Sequence, residues 1–335
     1  MAYRIGMIGT DGHVGMVLDG IPKIEGASLC ACAKGHPGDD LGRLSKHTAF
    51  TGDTTCYDHF EDMLAEERLD IVGICRPYHL NAEASIAAAR QGAAIVSEKP
   101  VATTLEDLDR LEQTLHDTGV RFTAMFGMRL QPAFQAARMA VADGLVGRPI
   151  LATGQKSYKF GVRPDFYRDR QTYGGTIPWV AIHAVDYVRW AAGLDFTRVA
   201  ALHGNAAHPD YPGCEDHGGI LFTCRDGESA LVHFDYLRPA EAPTHGDDRL
   251  RIAGDRGVVE VVQCGERAQL IAPDAGLIDL PLAEERDFLV DLIEELEGGT
   301  PHVVGPDDAI AVTRICLLAR EAADTQRVID LPGML

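Results

Sequence analysis

Between residues 3 and 128 the chain alternates short apolar, β-branched runs with longer amphipathic segments, and this alternation constrains the fold more than any other feature. The runs Tyr3 to Ile8, Ser28 to Ala33, Ile71 to Cys75, Ala93 to Ser97 and Arg121 to Met125 have the composition of buried strands. Between them, EDMLAEERL, HLNAEASIAAARQG and TLEDLDRLEQTLHDTG space apolar residues three and four apart, and the last two stop at Gly92 and Gly119. Parallel strands need crossover connections, so the pattern predicts an α/β domain over residues 1–128: a doubly wound parallel sheet with helices on both faces. The second half, 129–335, opens with a helix stopped by Gly144 and then changes to longer strands such as PILATGQKSYKF, GGILFTCRDG and SALVHFDYL. Turn pairs such as Asp226-Gly227 separate them, which predicts an α+β domain with a large, mostly antiparallel open sheet. Two closing helices are expected, roughly Glu284 to Glu297 and Pro306 to Gln326.

Charge and composition exclude several partner classes. A net charge of -19 repels nucleic-acid phosphates and anionic membranes, so neither is an expected partner. No apolar stretch approaches the ~18 residues of a membrane span, and a strand stands where a leader's apolar segment would be. The expected location is therefore cytoplasmic. The eight cysteines lie mostly inside apolar runs without paired CxxC spacing, as free thiols in a reducing compartment do. His203, His208, Asp216 and His217 are close in sequence but lack a metal-ligand spacing, so no metal is expected.

Behind the first strand stands GTDGHVG, residues 9 to 15, a Gly-x-x-Gly-x-x-Gly turn where dinucleotide-binding folds carry Gly-x-Gly-x-x-Gly. Asp11 fills the place of the middle glycine. Facing a pyrophosphate at ~4 Å, its charge would cost ~4 kcal/mol at an effective dielectric of ~20. The expectation is that Asp11 turns inward as a helix N-cap, leaving a dinucleotide site of altered shape. Farther on, SEKP places Glu98 and Lys99 at the carboxyl end of a strand, where open α/β sheets bind ligands. GGTIPWVAIHAVDYVRW puts His183 and Asp186 on one helical face behind Gly174-Gly175.

These pieces, in this order, resemble the glucose-fructose oxidoreductase, inositol dehydrogenase and rhizopine-catabolism (Gfo/Idh/MocA) family. The glycine turn, GICRPYHLNAEASIAAARQGAAIVSEKPVATTLEDL, FGMRLQPAFQAARMAVADGLVGRPI, the His-x-x-Asp segment, GDDRLRIAGDRGVVEV and GPDDAIAVTRICLLAREAAD carry the resemblance over nearly the whole chain. It implies a Rossmann domain holding NAD or NADP and a second domain whose sheet carries substrate on one face and subunit contacts on the other. It further implies a sugar, inositol or related polyol as substrate and a homodimer or homotetramer. By resemblance Lys99 contacts nicotinamide and substrate, and His183 is the acid/base histidine. Gly9, Thr10, Asp11, Gly12, His13, Val14, Lys34, Arg76, Pro77, His79 and Glu98 are expected at the cofactor, and Arg129, Trp179 and Asp186 at the substrate. Oxidising a secondary alcohol needs a base for its proton, which agrees with these roles.

Four departures from the family pattern stand out. Trp179 replaces an aspartate four residues before the histidine, either as core packing or as a ring to stack on a sugar. Arg76 and Asn81 replace a threonine and a histidine; Arg76 reaches a pyrophosphate or pairs with acidic neighbours. Lys34 stands where NAD-selecting members carry an acid, which keeps NADP open. Asp11 is the fourth. A non-catalytic nucleotide or sugar sensor, and a redox-neutral NAD-dependent glycosidase, are the alternatives to a dehydrogenase.

Overall fold

The computed structural model describes residues 2–273 and 276–332. Two compact units emerge, one built from Met1–Gly127 with Arg286–Thr313 and the other from Met128–Glu285 with Arg314–Leu335. The single boundary expected after residue 128 thus needs correcting: Arg286–Thr313 packs with the first unit. The helix Phe288–Leu296 explains this, because Asp287, its N-cap, pairs with Lys23 at 2.8 Å and Glu295 pairs with Arg121.

The first unit is a six-stranded parallel sheet of β1 (Tyr3–Ile8), β2 (Ala27–Ala33), β3 (Thr55–Tyr57), β4 (Ile71–Ile74), β5 (Ala94–Ser97) and β6 (Phe122–Ala124). Its order is β3-β2-β1-β4-β5-β6, so the direction of winding reverses between β1 and β4. Five strands match the expected runs to within two residues at either end. Thr55–Tyr57, short and largely exposed, gives too little pattern to read. The crossover helices form where periodicity and caps agree. In α1–α4 (Gly15–Leu18, Phe60–Glu66, Asn81–Arg90 and Leu105–Thr118), the fourth begins at Thr104, whose hydroxyl accepts the Asp107 amide at 3.1 Å. Leu108, Leu111 and Leu115 bury one face, and Gly119 ends the helix in the left-handed conformation at φ 63°.

The second unit starts with α5 (Pro132–Ala142) and contains, among the described residues, a nine-stranded sheet. Its strands are β7 (Pro149–Lys159), β8 (Phe196–Gly204), β9 (His217–Cys224), β10 (Ser229–Arg238), β11 (Gly246–Gly254), β12 (Val258–Val262), β13 (Arg267–Ala272), β14 (Gly276–Asp279) and β15 (Ile329–Asp330). They run β14-β13-β12-β11-β7-β10-β9-β8-β15, antiparallel in the pairs that have a register except for β7 beside β10. The short helix α6 (Arg170–Tyr173) and the long α7 (Ile182–Ala192) follow β7. On β10, Ala230, Val232, Phe234 and Tyr236 are buried on one face while Leu231 and Leu237 are exposed on the other. Phe134 of α5 and Tyr187 of α7 pack ring to ring at 4.7 Å over the covered face. No helix among the described residues is long and apolar enough to cross a membrane.

Candidate active site

In the first unit the chemistry gathers at the carboxyl ends of β1, β2, β4 and β5. Gly9 and Gly12 adopt φ values of 85° and 90°, which side-chain-bearing residues rarely tolerate. A Cβ on Gly9 would strike the Cys75 carbonyl, and one on Gly12 would strike the Glu98 carboxylate. The turn is therefore a backbone cradle held closed from behind, as a pyrophosphate site requires. Glu98 is fully buried; it accepts the His13 amide at 2.6 Å and the Lys99 amide at 2.8 Å. Burial alone would raise its pKa, but His13 and Lys99 outweigh that and hold it below the usual carboxylate value. Lys99 is buried beside it at the head of a cis peptide to Pro100.

Asp11 does not cap the following helix. The N-cap of α1 (Gly15–Leu18) is Val14, which forms no side-chain cap bond, and Asp11 Oδ2 lies 3.8 Å from His36 Nε2. The glycine turn carries the carboxylate away from the amides it was expected to meet. Its pKa is raised by burial and by Asp39, against the pull of His36 and Arg43. Asp39 is itself anchored, accepting the Thr10 hydroxyl and, at 2.9 Å, the Gly35 amide.

Arg76 is buried and donates to the Gly35 carbonyl at 2.7 Å, the Leu80 carbonyl at 3.0 Å and Glu83 at 3.1 Å. Of its two expected roles, the structure displays the pairing one. Asn81, in the place of a family histidine, ties the Arg76 amide to the Glu98 and Pro100 carbonyls. Pro77 and His79 lie at the start of the segment leading into α3. A cleft of about 430 Å³ beyond β2 is lined by Lys34, His36, Asp58, Phe60, Glu61 and Arg76, among others. On its wall Lys34 Nζ meets Asp58 Oδ1 at 2.6 Å. Sequence reading missed Asp58, His36 and Asp39; the position of His36 in CACAKGHPG was the available signal.

In the second unit, a π-helical turn, Ile177–Ala181, carries Trp179 and leads directly into α7 with His183. Such wide turns are frequent at functional sites. His183 and Trp179 are both buried, and Trp179 meets Tyr167 edge-on at 6.4 Å. Arg129 and Asp186, assigned to the substrate by resemblance, grip one another: three Nε and Nη contacts span 2.6 to 3.1 Å, with both side chains about 1% exposed. That pair braces the helix bearing His183. Sequence reading also missed Lys156, Arg163, Tyr167 and Tyr236, which share an aromatic cluster with Trp179.

A parallel sheet of this order with a glycine cradle behind its first strand defines a dinucleotide-binding domain. Residues 40–126 match the oxidoreductase family with an NAD-binding Rossmann fold, and residues 134–260 match the GFO/IDH/MocA C-terminal domain. A Thermotoga maritima structure described as an oxidoreductase is 38% identical, with a TM-score of 0.93 over 98% of this chain and 100% of that one. The chain belongs to the GFO/IDH/MocA family of NAD-binding oxidoreductases. Inositol 2-dehydrogenase of Salmonella typhimurium is 22% identical over 98% of this chain and 96% of its own length. A levoglucosan dehydrogenase solved with NADH and L-sorbose shares the fold, with a TM-score of 0.85 at 17% identity over 99% of this chain and all of that one. The chain spans about half the length of some curated relatives it matches, 57% and 44% in two of them.

Proposed function

We propose that this protein is an NAD-dependent dehydrogenase that oxidises a secondary hydroxyl of a sugar, inositol or related polyol. The observation that carries the reading is Lys99, a buried ammonium at the carboxyl end of β5, next to the glutamate that closes the glycine cradle. NAD, when bound, supplies the hydride acceptor. Gly9, Thr10, Gly12, His13 and Val14 present backbone to its pyrophosphate, and the cleft beside Lys34 receives the adenosine. Lys99 orients the substrate hydroxyl and His183 exchanges its proton. The Asp58 carboxylate, paired with Lys34, supplies negative charge at the cleft wall and favours NAD over NADP. The match of His183 to the family's acid/base histidine, and the sugar and inositol dehydrogenases among the relatives, support this reading.

The test is a screen of polyols and aldoses with NAD and NADP, followed by nicotinamide absorbance. Lys99→Met and His183→Asn should each lower turnover by about 10²- to 10⁴-fold while dinucleotide affinity stays within a few-fold. The double variant should be little worse than the worse single variant. Full activity in His183→Asn would remove that residue from proton transfer. Binding of NAD with no turnover across the screen would favour a sensor.

The uncovered sheet face of the second unit is read as a contact between copies of the chain. Leu231 and Leu221 stand directly opposite on β10 and β9, 43% and 46% exposed, and Leu202 and Leu237 extend the apolar surface. Light scattering at micromolar concentration should give a dimer or tetramer mass.

A further inference from the structure

One edge of the parallel sheet in the first unit holds two thiols face to face. Cys32 on β2 and Cys56 on β3 are register partners, and their Sγ atoms lie 3.4 Å apart. Both are free cysteines, Cys32 buried and Cys56 exposed. Neighbouring strands run about 4.8 Å apart, within the Cα separations of about 4.4 to 6.8 Å that a disulfide spans. Closing the gap to a bond of about 2 Å draws the sulfurs together by roughly 1.4 Å.

The strand that can yield is β3. It stands at one end of the sheet order and is three residues long, whereas β2 is held between β3 and β1. Side chains alternate along a strand, so Cys32 shares its face with Lys34, and Cys56 shares its face with Asp58. The Lys34 amide donates to the Tyr57 carbonyl at 3.1 Å, which carries the pairing one step past the strand ends. The next rung on that face is then Lys34 with Asp58, joined at 2.6 Å on the wall of the 430 Å³ cleft. A change in bonding between the sulfurs is thus one rung from the groups that line the cleft. The two thiols also differ in access. An oxidant from solvent reaches Cys56 first, while burial and the neighbouring Cys56 raise the pKa of Cys32 and keep it a thiol.

We propose that Cys32 and Cys56 are a redox pair that peroxide converts to a reversible disulfide, and that the crosslink displaces Asp58 and weakens coenzyme binding. The Cys56 sulfur attacks one peroxide oxygen and the O–O bond breaks; the departing hydroxide takes the Cys56 proton, leaving a sulfenic acid and water. The Cys32 sulfur then attacks the Cys56 sulfur, the S–O bond breaks, and the Cys32 proton leaves with that oxygen as a second water. Two thiols are oxidised to one disulfide as one peroxide is reduced. A dithiol reverses the step by exchange. The coenzyme effect rests on the reading of Lys34 and Asp58 given above; the crosslink itself does not.

The test treats the intact protein with hydrogen peroxide and removes the excess with catalase. Intact mass and peptide mapping read the crosslink, and nicotinamide fluorescence reads NADH affinity. Oxidised wild type should lose two hydrogens in mass, yield the Cys32 and Cys56 peptides joined, and bind NADH several-fold more weakly until dithiothreitol restores it. Cys56→Ser should show neither change. Cys30→Ser, which alters another thiol on the same face of β2, should show both. Peroxide that leaves the mass unchanged, oxygen added to Cys56 without a crosslink, a bond from Cys56 to Cys30, or a disulfide between two copies of the chain overturns the pair. A Cys32 to Cys56 crosslink that leaves NADH affinity unchanged upholds the pair and overturns the coenzyme effect. Asp58→Asn then shows where the fault lies: an unchanged ratio of NADH to NADPH affinity places it in the reading of the cleft, and a shifted ratio places it in the step from crosslink to Asp58.

Discussion

Glu98 Oε2 accepts the backbone N–H of His13 at 2.6 Å and lies 2.8 Å from the Nδ1 of the same residue. One carboxylate thus locks the glycine turn to the end of β5, while its other oxygen accepts the amide of Lys99. The bracing residue and the candidate catalytic lysine are neighbours in the chain, so the cradle and the lysine are held by a single buried group.

Removing that group should loosen both. Glu98→Ala leaves two buried amides without their acceptor, at a cost of about 2–5 kcal/mol in urea denaturation at pH 7. Because the folded-state pKa of Glu98 is depressed, its stabilisation is present above the usual carboxylate value of 4.5 and is lost as pH falls through the lower folded value. The stability gap between wild type and variant should therefore narrow in acid. A gap independent of pH would show that Glu98 does not act as a carboxylate.

Asp11 works in the opposite sense. Its folded-state pKa is raised above 3.8, so the folded protein holds that proton more tightly than the unfolded chain, and stability falls as pH rises through the interval above 3.8. The ionised form also repels a pyrophosphate. Asp11→Asn should tighten NAD binding about tenfold at pH 7, equivalent to ~1.4 kcal/mol, and flatten its decline with rising pH. Calorimetric titration at pH 5 and pH 8 reads both effects, with His36 common to the two proteins.

Coenzyme choice should follow the Lys34 and Asp58 pair. Asp58→Asn removes the carboxylate and releases Lys34 toward a 2'-phosphate, shifting relative affinity toward NADP by about tenfold. Lys34→Ala should leave NAD affinity within a few-fold. Nicotinamide fluorescence with NADH and NADPH gives the ratio directly, and an unchanged ratio in Asp58→Asn would place the selection elsewhere.

The Arg129 and Asp186 pair is buried on both sides, so breaking it should be costly. Asp186→Leu strands the guanidinium without its carboxylate and should lose about 3–5 kcal/mol, whereas the double variant Arg129→Met with Asp186→Leu should recover much of that loss. Chemical denaturation of the four proteins completes the cycle. Equal losses in the single and double variants would mean that packing, not charge, is what the pair supplies.

Local signals along the chain make much of this fold legible. Five of the six parallel strands follow from β-branched runs, and the helix Leu105–Thr118 from its leucine spacing, Thr104 cap and Gly119 stop. The three-residue strand Thr55–Tyr57 escapes because its pattern is too short, and the π-helical turn because its residues read as ordinary helix. Gly9, Gly12 and Lys99 in the first unit and His183 in the second are legible as motif positions. The orientation of Asp11 is not, because a helix cap depends on where the turn points the carboxylate.

The alternation of strands and helices and the glycine turn behind the first strand are written into the chain itself, since each is set by neighbours within a few positions, whereas the acid/base assignment of Lys99 and His183 follows from the family resemblance. Which groups those residues face is settled by packing alone. Lys34 finds Asp58 across β2 and β3, Arg129 finds Asp186, and Lys156 finds Asp248 across β7 and β11. A charge's effect depends on its distance to its partners and on its removal from water, and both arise only when distant segments pack.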